Sequence, residues 1–152
     1  MSSFLNNSAN LAGTAAPLLK PLTTLGMWSI VMEVWLYALR FPAVEKYKVK
    51  IDPSISAASL ERALPPQVQW PAQNFNHLHE QPTYFIAAML TLTLLGVRDA
   101  ATVNAAWAYV GLRIVHSLVH STTNTILVRF SLFALSSTVL AGLIGRTAWV
   151  LF

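Results

Sequence analysis

The sequence predicts an all-α integral membrane protein, a bundle of four spanning helices. Three observations carry this. Hydrophobic residues make up 55% of the chain, charged residues only 11%, and mean hydropathy is +0.52, whereas an ordinary soluble domain carries about 25% charged residues. The apolar residues fall into four stretches, each near the ~20 residues that cross a bilayer as helix. None alternates like barrel strands, and backbone groups in lipid must be satisfied within the segment, which leaves helices.

Residues 1–20 read as a polar tail, without the basic start and long apolar run of a cleaved signal peptide. Residues 21–152 read as one domain. Span one covers residues 22–41; Glu33 is its one acid, and Arg40 closes it before Pro42. Span two covers 75–96, polar in its first two turns and uncharged over 84–96. Pro82 is expected to kink it, with the freed carbonyl served by a neighbouring helix. Span three covers 102–120. Span four covers 126–150; its stretch 130–145 is uncharged, and Arg129 and Arg146 are placed to snorkel at its ends.

The connections set an orientation. The long loop between spans one and two carries Lys46, Lys48, Lys50 and Arg62, while the short turn after span two carries only Arg98 and Asp99. The positive-inside rule places the long loop in the cytoplasm and both termini on the opposite side. Arg40, Asn76, His77, Glu80, Arg113, His116, His120 and Arg129 then all fall at the loop-side ends of their spans, where random scatter would divide them between two leaflets. The absence of cysteine excludes disulfides and a cysteine nucleophile. The net charge of +4 is split between one loop and the spans, with no exposed basic stripe, so no nucleic-acid partner is expected.

Ionisable side chains at membrane depth are costly unless paired or hydrated, which makes them candidates for a site. Arg113, His116 and His120 follow i, i+3, i+7 spacing, one stripe of a helix. Asn76, Glu80 and Tyr84 follow i, i+4, i+8, and His77 lies beside Glu80. Arg113 lies about 10 Å deeper than His120 along its helix, and Glu80 is its expected partner. Three arginines against one glutamate favour an anionic ligand. Structural readings stand beside this one. A Glu80–Arg113 pair can simply hold helices together, and His116 and His120 can bond across helices. Glu33 can pair within an oligomer, His79 reads as interfacial, and the five tryptophans read as anchors or packing. The His116/His120 spacing permits zinc, but Arg113 beside it repels a cation, so no metal is expected. Bis-histidine haem needs facing histidines such as His77 and His116.

The stretch Asn74-Phe75-Asn76-His77-Leu78-His79-Glu80-Gln81-Pro82-Thr83-Tyr84-Phe85 and the stretch Gly111-Leu112-Arg113-Ile114-Val115-His116-Ser117, followed by His120, Asn124 and Arg129-Phe130, together resemble the MAPEG superfamily, the membrane-associated proteins in eicosanoid and glutathione metabolism. The resemblance runs from about Leu22 to the C-terminus and is nearest to a bacterial branch with the patterns N-F-x-N-L-x-E-x-P and R-x-x-H-S-x-x-H. It implies a four-helix protomer in a homotrimer in the lipid bilayer. Glutathione would serve as co-substrate between protomers near the cytoplasmic face. The implied chemistry is conjugation, peroxide reduction or isomerisation of lipophilic small molecules. It implies that Glu80 holds the glutathione backbone or amine, that Arg113 and His116 belong to the same site, and that Arg129 is the catalytic residue that holds the thiolate. Arg40 resembles the basic residue closing span one. The cofactor-binding set is then Arg40, Asn76, His77, Glu80, Arg113, His116 and His120. The sequence departs from the enzyme pattern at Gln73 and Asn76, where arginines are common, at His77 for asparagine, and at His120 for tyrosine. A non-catalytic lipid-binding or accessory protein of the same fold is the alternative, and a small anion- or quinone-binding redox component a third.

Overall fold

In the computed structural model, which describes residues 16–52 and 55–152, the described residues form six helices and no strand. They are α1 (Leu19–Lys46), α2 (Ala57–Ala63), α3 (Pro66–His77), α4 (Pro82–Leu94), α5 (Ala100–Thr122) and α6 (Ile126–Leu151). The polar tail expected over residues 1–20 lies almost wholly outside the described residues.

Local chemistry marks the ends of these helices. The Ser56 hydroxyl caps α2, accepting from the Ser59 N–H at 3.1 Å. Pro66 and Pro82 occupy the first turns of α3 and α4, where a missing N–H costs nothing. Gly96 takes φ +73° and stops α4, and the next N–H, from Val97, reaches back to the Leu92 carbonyl at 2.9 Å. Asp99 caps α5, accepting from the Thr102 N–H at 2.9 Å. Asn124 ends α5 at φ +52°, a left-handed position that asparagine tolerates.

Two helices differ from the sequence expectation. Helix α1 runs through Pro42 to Lys46 instead of ending at Phe41. Pro42 removes one N–H, but the turn that follows still packs, with Ala43 buried. The second expected span begins earlier, at Pro66, and is broken into α3 and α4 by turns at 78–81. Pro82 has no N–H for the Leu78 carbonyl, no neighbouring helix serves that carbonyl among the described residues, and tight local bonds close the turns around it. The His79 N–H donates to the Asn76 carbonyl at 2.9 Å, and the Thr83 hydroxyl to the Glu80 carbonyl at 2.6 Å. Helix α6 contributes through a side chain, Ser137, whose hydroxyl accepts from Gln81 Nε2 at 2.7 Å.

The bundle divides into two halves. Leu25 and Met32 of α1, Phe85, Met89 and Leu92 of α4, Tyr109 and Val110 of α5, and Leu140 and Leu143 of α6 form the apolar core. Phe85 stacks on Tyr109 at 4.4 Å. At the other end, toward the long loop, polar side chains are buried beside apolar ones: Gln69, Asn74, Arg113, His116, Ser117, His120 and Ser121. Helices α1 and α6 are long and apolar enough to cross a membrane, by length and composition. Their outer faces expose Met27, Ile30 and Val34 on α1, and Leu127, Phe130 and Trp149 on α6. Hydroxyls along these helices bond their own backbone, as Ser29 does to the Leu25 carbonyl and Ser131 to the Leu127 carbonyl, which satisfies them without water.

Candidate functional site

The break between α3 and α4 positions the site. It leaves His77 at the end of α3, pointing across to α5 and α6. The His77 ring lies 5.4 Å from that of His116 and 5.2 Å from that of Phe133. His120, one turn beyond His116, meets it edge-on at 5.7 Å. His77, His116, Ile126, Arg129, Phe130 and Phe133 line an open cavity of about 240 Å³.

Arg129 stands in the first turn of α6. Its Nη1 donates to Asn124 Oδ1 at 2.5 Å, so the residue that ends α5 also orients the guanidinium. Arg129 Nε is buried with no hydrogen-bond partner among the described residues. Arg113 lies behind the cavity and is 0% exposed. Its Nε donates to the Tyr109 hydroxyl at 3.2 Å. Its guanidinium carbon lies 5.3 Å from the Tyr109 ring centroid and 5.3 Å from that of Phe133. Both of its terminal nitrogens lack a hydrogen-bond partner among the described residues. A buried donor left in that state costs about 1–3 kcal/mol, and a desolvated cation–π contact returns about 2 kcal/mol.

Five of the eight sequence-predicted residues thus gather: His77, Arg113, His116, His120 and Arg129. Three are not buried with them, although one touches the edge of the group. Arg40 donates through Nη2 to Gln69 Oε1 at 2.9 Å, nearer the long loop. Asn76 is exposed. The Glu80 side chain is 68% exposed and bonds His77 Nδ1 at 3.0 Å. The expected Glu80–Arg113 pair therefore does not form within one protomer. The stripe of Asn76, Glu80 and Tyr84 assumed an unbroken helix, and the turns at 78–81 interrupt that register. His79 is exposed, its ring on Phe75 at 4.4 Å. Glu33 lies half-buried in mid-α1 and has no hydrogen bond or ion pair among the described residues.

The structure adds residues that sequence reasoning passed over. Tyr109 stands four before Arg113 and Phe133 four after Arg129, the helical spacing that lets neighbours touch. Asn74 and Ser117 are fully buried and, like Ser121, have side-chain polar atoms without partners among the described residues. Ser117 is four after Arg113, so the same spacing was its signal. The cavity wall combines a guanidinium, two imidazoles and three apolar side chains, with no carboxylate among them. Such a wall suits an anionic group carried on an apolar body.

No curated protein and no solved structure matches the chain. The sequence profile of the MAPEG family matches residues 18–149, a stretch that includes every residue of the cavity. The chain therefore belongs to the MAPEG family, the membrane proteins of glutathione and eicosanoid metabolism.

Proposed function

We propose that this protein is a glutathione-dependent membrane enzyme, a transferase, peroxidase or isomerase acting on lipophilic substrates. The observation that carries the reading is the convergence of Arg129, His77 and His116 on one cavity with Phe130 and Phe133. Arg129 is the residue proposed to hold the glutathione thiolate, because a neighbouring guanidinium favours the ionised, nucleophilic sulfur. Arg113, His116 and His120 supply further positive or hydrogen-bonding surface for its carboxylates.

The active form is proposed to be a four-span homotrimer with the long loop in the cytoplasm and both termini opposite. The exposed acid supports this. Glu80 and Tyr84, 68% and 63% exposed, stand just before and within the first turn of the apolar helix α4. An acid left toward lipid there is costly; a neighbouring protomer that covers it turns it toward a ligand between subunits. In this reading Glu80, Asn76 and Arg40 reach the ligand from outside the cavity wall.

One observation favours a second reading, a lipid-binding or accessory protein without catalysis: the one acid of the predicted site does not line the cavity. Calorimetric titration of the detergent-solubilised protein with glutathione separates the two. Saturable binding that Arg129→Ala abolishes is the expected result. Heat indistinguishable from dilution would remove the enzyme reading and leave the accessory one.

A further inference from the structure

Phe133 touches both the cavity and a buried cation. One face of its environment is the open cavity, which it lines with His77 at 5.2 Å between ring centroids. The same ring neighbours Arg113, which does not line the cavity and whose guanidinium carbon lies 5.3 Å from the Phe133 centroid. Tyr109 holds that guanidinium from its own helix, through the 3.2 Å bond to Nε and a ring 5.3 Å away. The two terminal nitrogens, Nη1 and Nη2, have no acceptor among the described residues. No salt bridge to Arg113 exists among the described residues, although it is 0% exposed.

This is an unusual resting place for a guanidinium. A cation that is weakly hydrated and planar can stack between aromatic rings. Here the ring contacts and the Tyr109 bond to Nε leave the donors of Nη1 and Nη2 empty among the described residues. Those donors match a carboxylate, which accepts two parallel hydrogen bonds from one guanidinium. The Phe133 backbone does not have to move to admit one. Its carbonyl accepts from the Ser136 hydroxyl at 2.9 Å and from the Ser137 hydroxyl at 2.8 Å, which pins the main chain of α6. Rotation of the side chain, which is only half-buried, would remove the ring from Arg113.

We infer that Phe133 is a displaceable cover over Arg113, and that the cavity takes ligands bearing a second anionic group which replaces the ring on that guanidinium. A ligand with one anionic group engages Arg129 and leaves the cover shut. A ligand with two carboxylates engages Arg129 outside and Arg113 within. The cover itself stands on geometry alone; only the identity of the dianion as glutathione rests on the proposed function.

Arginine-specific labelling tests both parts. Wild type, Phe133→Ala and Phe133→Leu are treated in detergent with phenylglyoxal, and modification of the peptides carrying Arg113 and Arg98 is followed by mass spectrometry. Arg98 is exposed in the turn before α5 and serves as the internal reference, so that a variant that simply unfolds is recognised by its thermal transition. Labelling of Arg113 relative to Arg98 should rise roughly tenfold or more in Phe133→Ala and rise less in Phe133→Leu, because a guarded site reacts only in its opened fraction. Glutarate, a plain dicarboxylate, should restore protection in Phe133→Ala, and acetate should not. Equal, slow labelling of Arg113 in all three folded proteins would overturn the cover. Protection by acetate as good as by glutarate would overturn the two-anion selectivity. Protection by glutarate but not by glutathione would leave the inference standing and count against glutathione as the ligand.

Discussion

Arg113 is the residue whose energetics say most about the site. Within one protomer it is a buried cation with no acid partner among the described residues. Replacing an unpaired buried charge with an apolar residue of similar length removes a desolvation cost instead of adding one. Arg113→Met should therefore keep or raise thermal stability in the absence of ligand, by up to about 1–3 kcal/mol, while weakening ligand binding. A large loss of stability would instead reveal an acid that reaches Arg113 from a neighbouring protomer, with Glu80 the first candidate. Asp99 makes a second residue-scale case, at the far end of the bundle. The Thr102 N–H and hydroxyl, and then Arg146 at 3.6 Å, hold its carboxyl below its ordinary value. A lowered folded pKa means the fold favours the charged form. Its contribution is present above the ordinary carboxylate pKa and disappears as pH falls through the lowered one. Asp99→Asn should thus lower the melting temperature at neutral pH, and the gap to wild type should narrow in acid. A gap of constant size from neutral pH to about pH 3 would show that its charge does not matter.

At the scale of elements, the long apolar helices were legible because length and apolarity are properties of sequence alone. Expected spans 102–120 and 126–150 lie within α5 and α6 with ends displaced by only a residue or two. The long loop was harder. It holds α2, only seven residues long, and most of α3, a polar helix that carries Pro66 and Pro71, and neither was expected from the sequence. The break at 78–81 was readable only as a kink, since the sequence displays Pro82 but not the turn bonds that rebuild the chain around it. That break decided which site residues met. His77, Arg113, His116, His120 and Arg129 come from helix ends or from one helical stripe, so spacing was enough. Asn76 and Glu80 depended on an unbroken register and were misplaced inward. Glycine gives the element scale its own test. At Gly96, φ +73° closes α4, and nothing lies within 4 Å of an added Cβ, so strain there is purely of the backbone. Gly96→Ala should cost about 1 kcal/mol. Gly26→Ala, in mid-α1 with the same open space, should be neutral or stabilising, because alanine is the better helix former. Equal effects in thermal unfolding would mean that Gly96 does not need its left-handed conformation.

For the whole molecule, orientation and chemistry have to agree. The proposed function puts ligand, loop charge and polar helix ends on one side of the membrane. The cysteine-free background makes this easy to read. Cysteines introduced at Lys48 and at Ser3 should label from opposite sides of sealed vesicles. Labelling of both from one side would break the link between loop charge and the site. The most direct test of the central claim is the thiolate absorbance of bound glutathione at neutral pH, compared between wild type and Arg129→Lys. Snorkelling alone would tolerate lysine, since both side chains carry a charge on a long stem. A thiolate held by a planar guanidinium would not find the same donors in an ammonium group. The account predicts a thiolate signal in wild type that is diminished in the folded variant. No thiolate in wild type, or an undiminished one in Arg129→Lys, would contradict it.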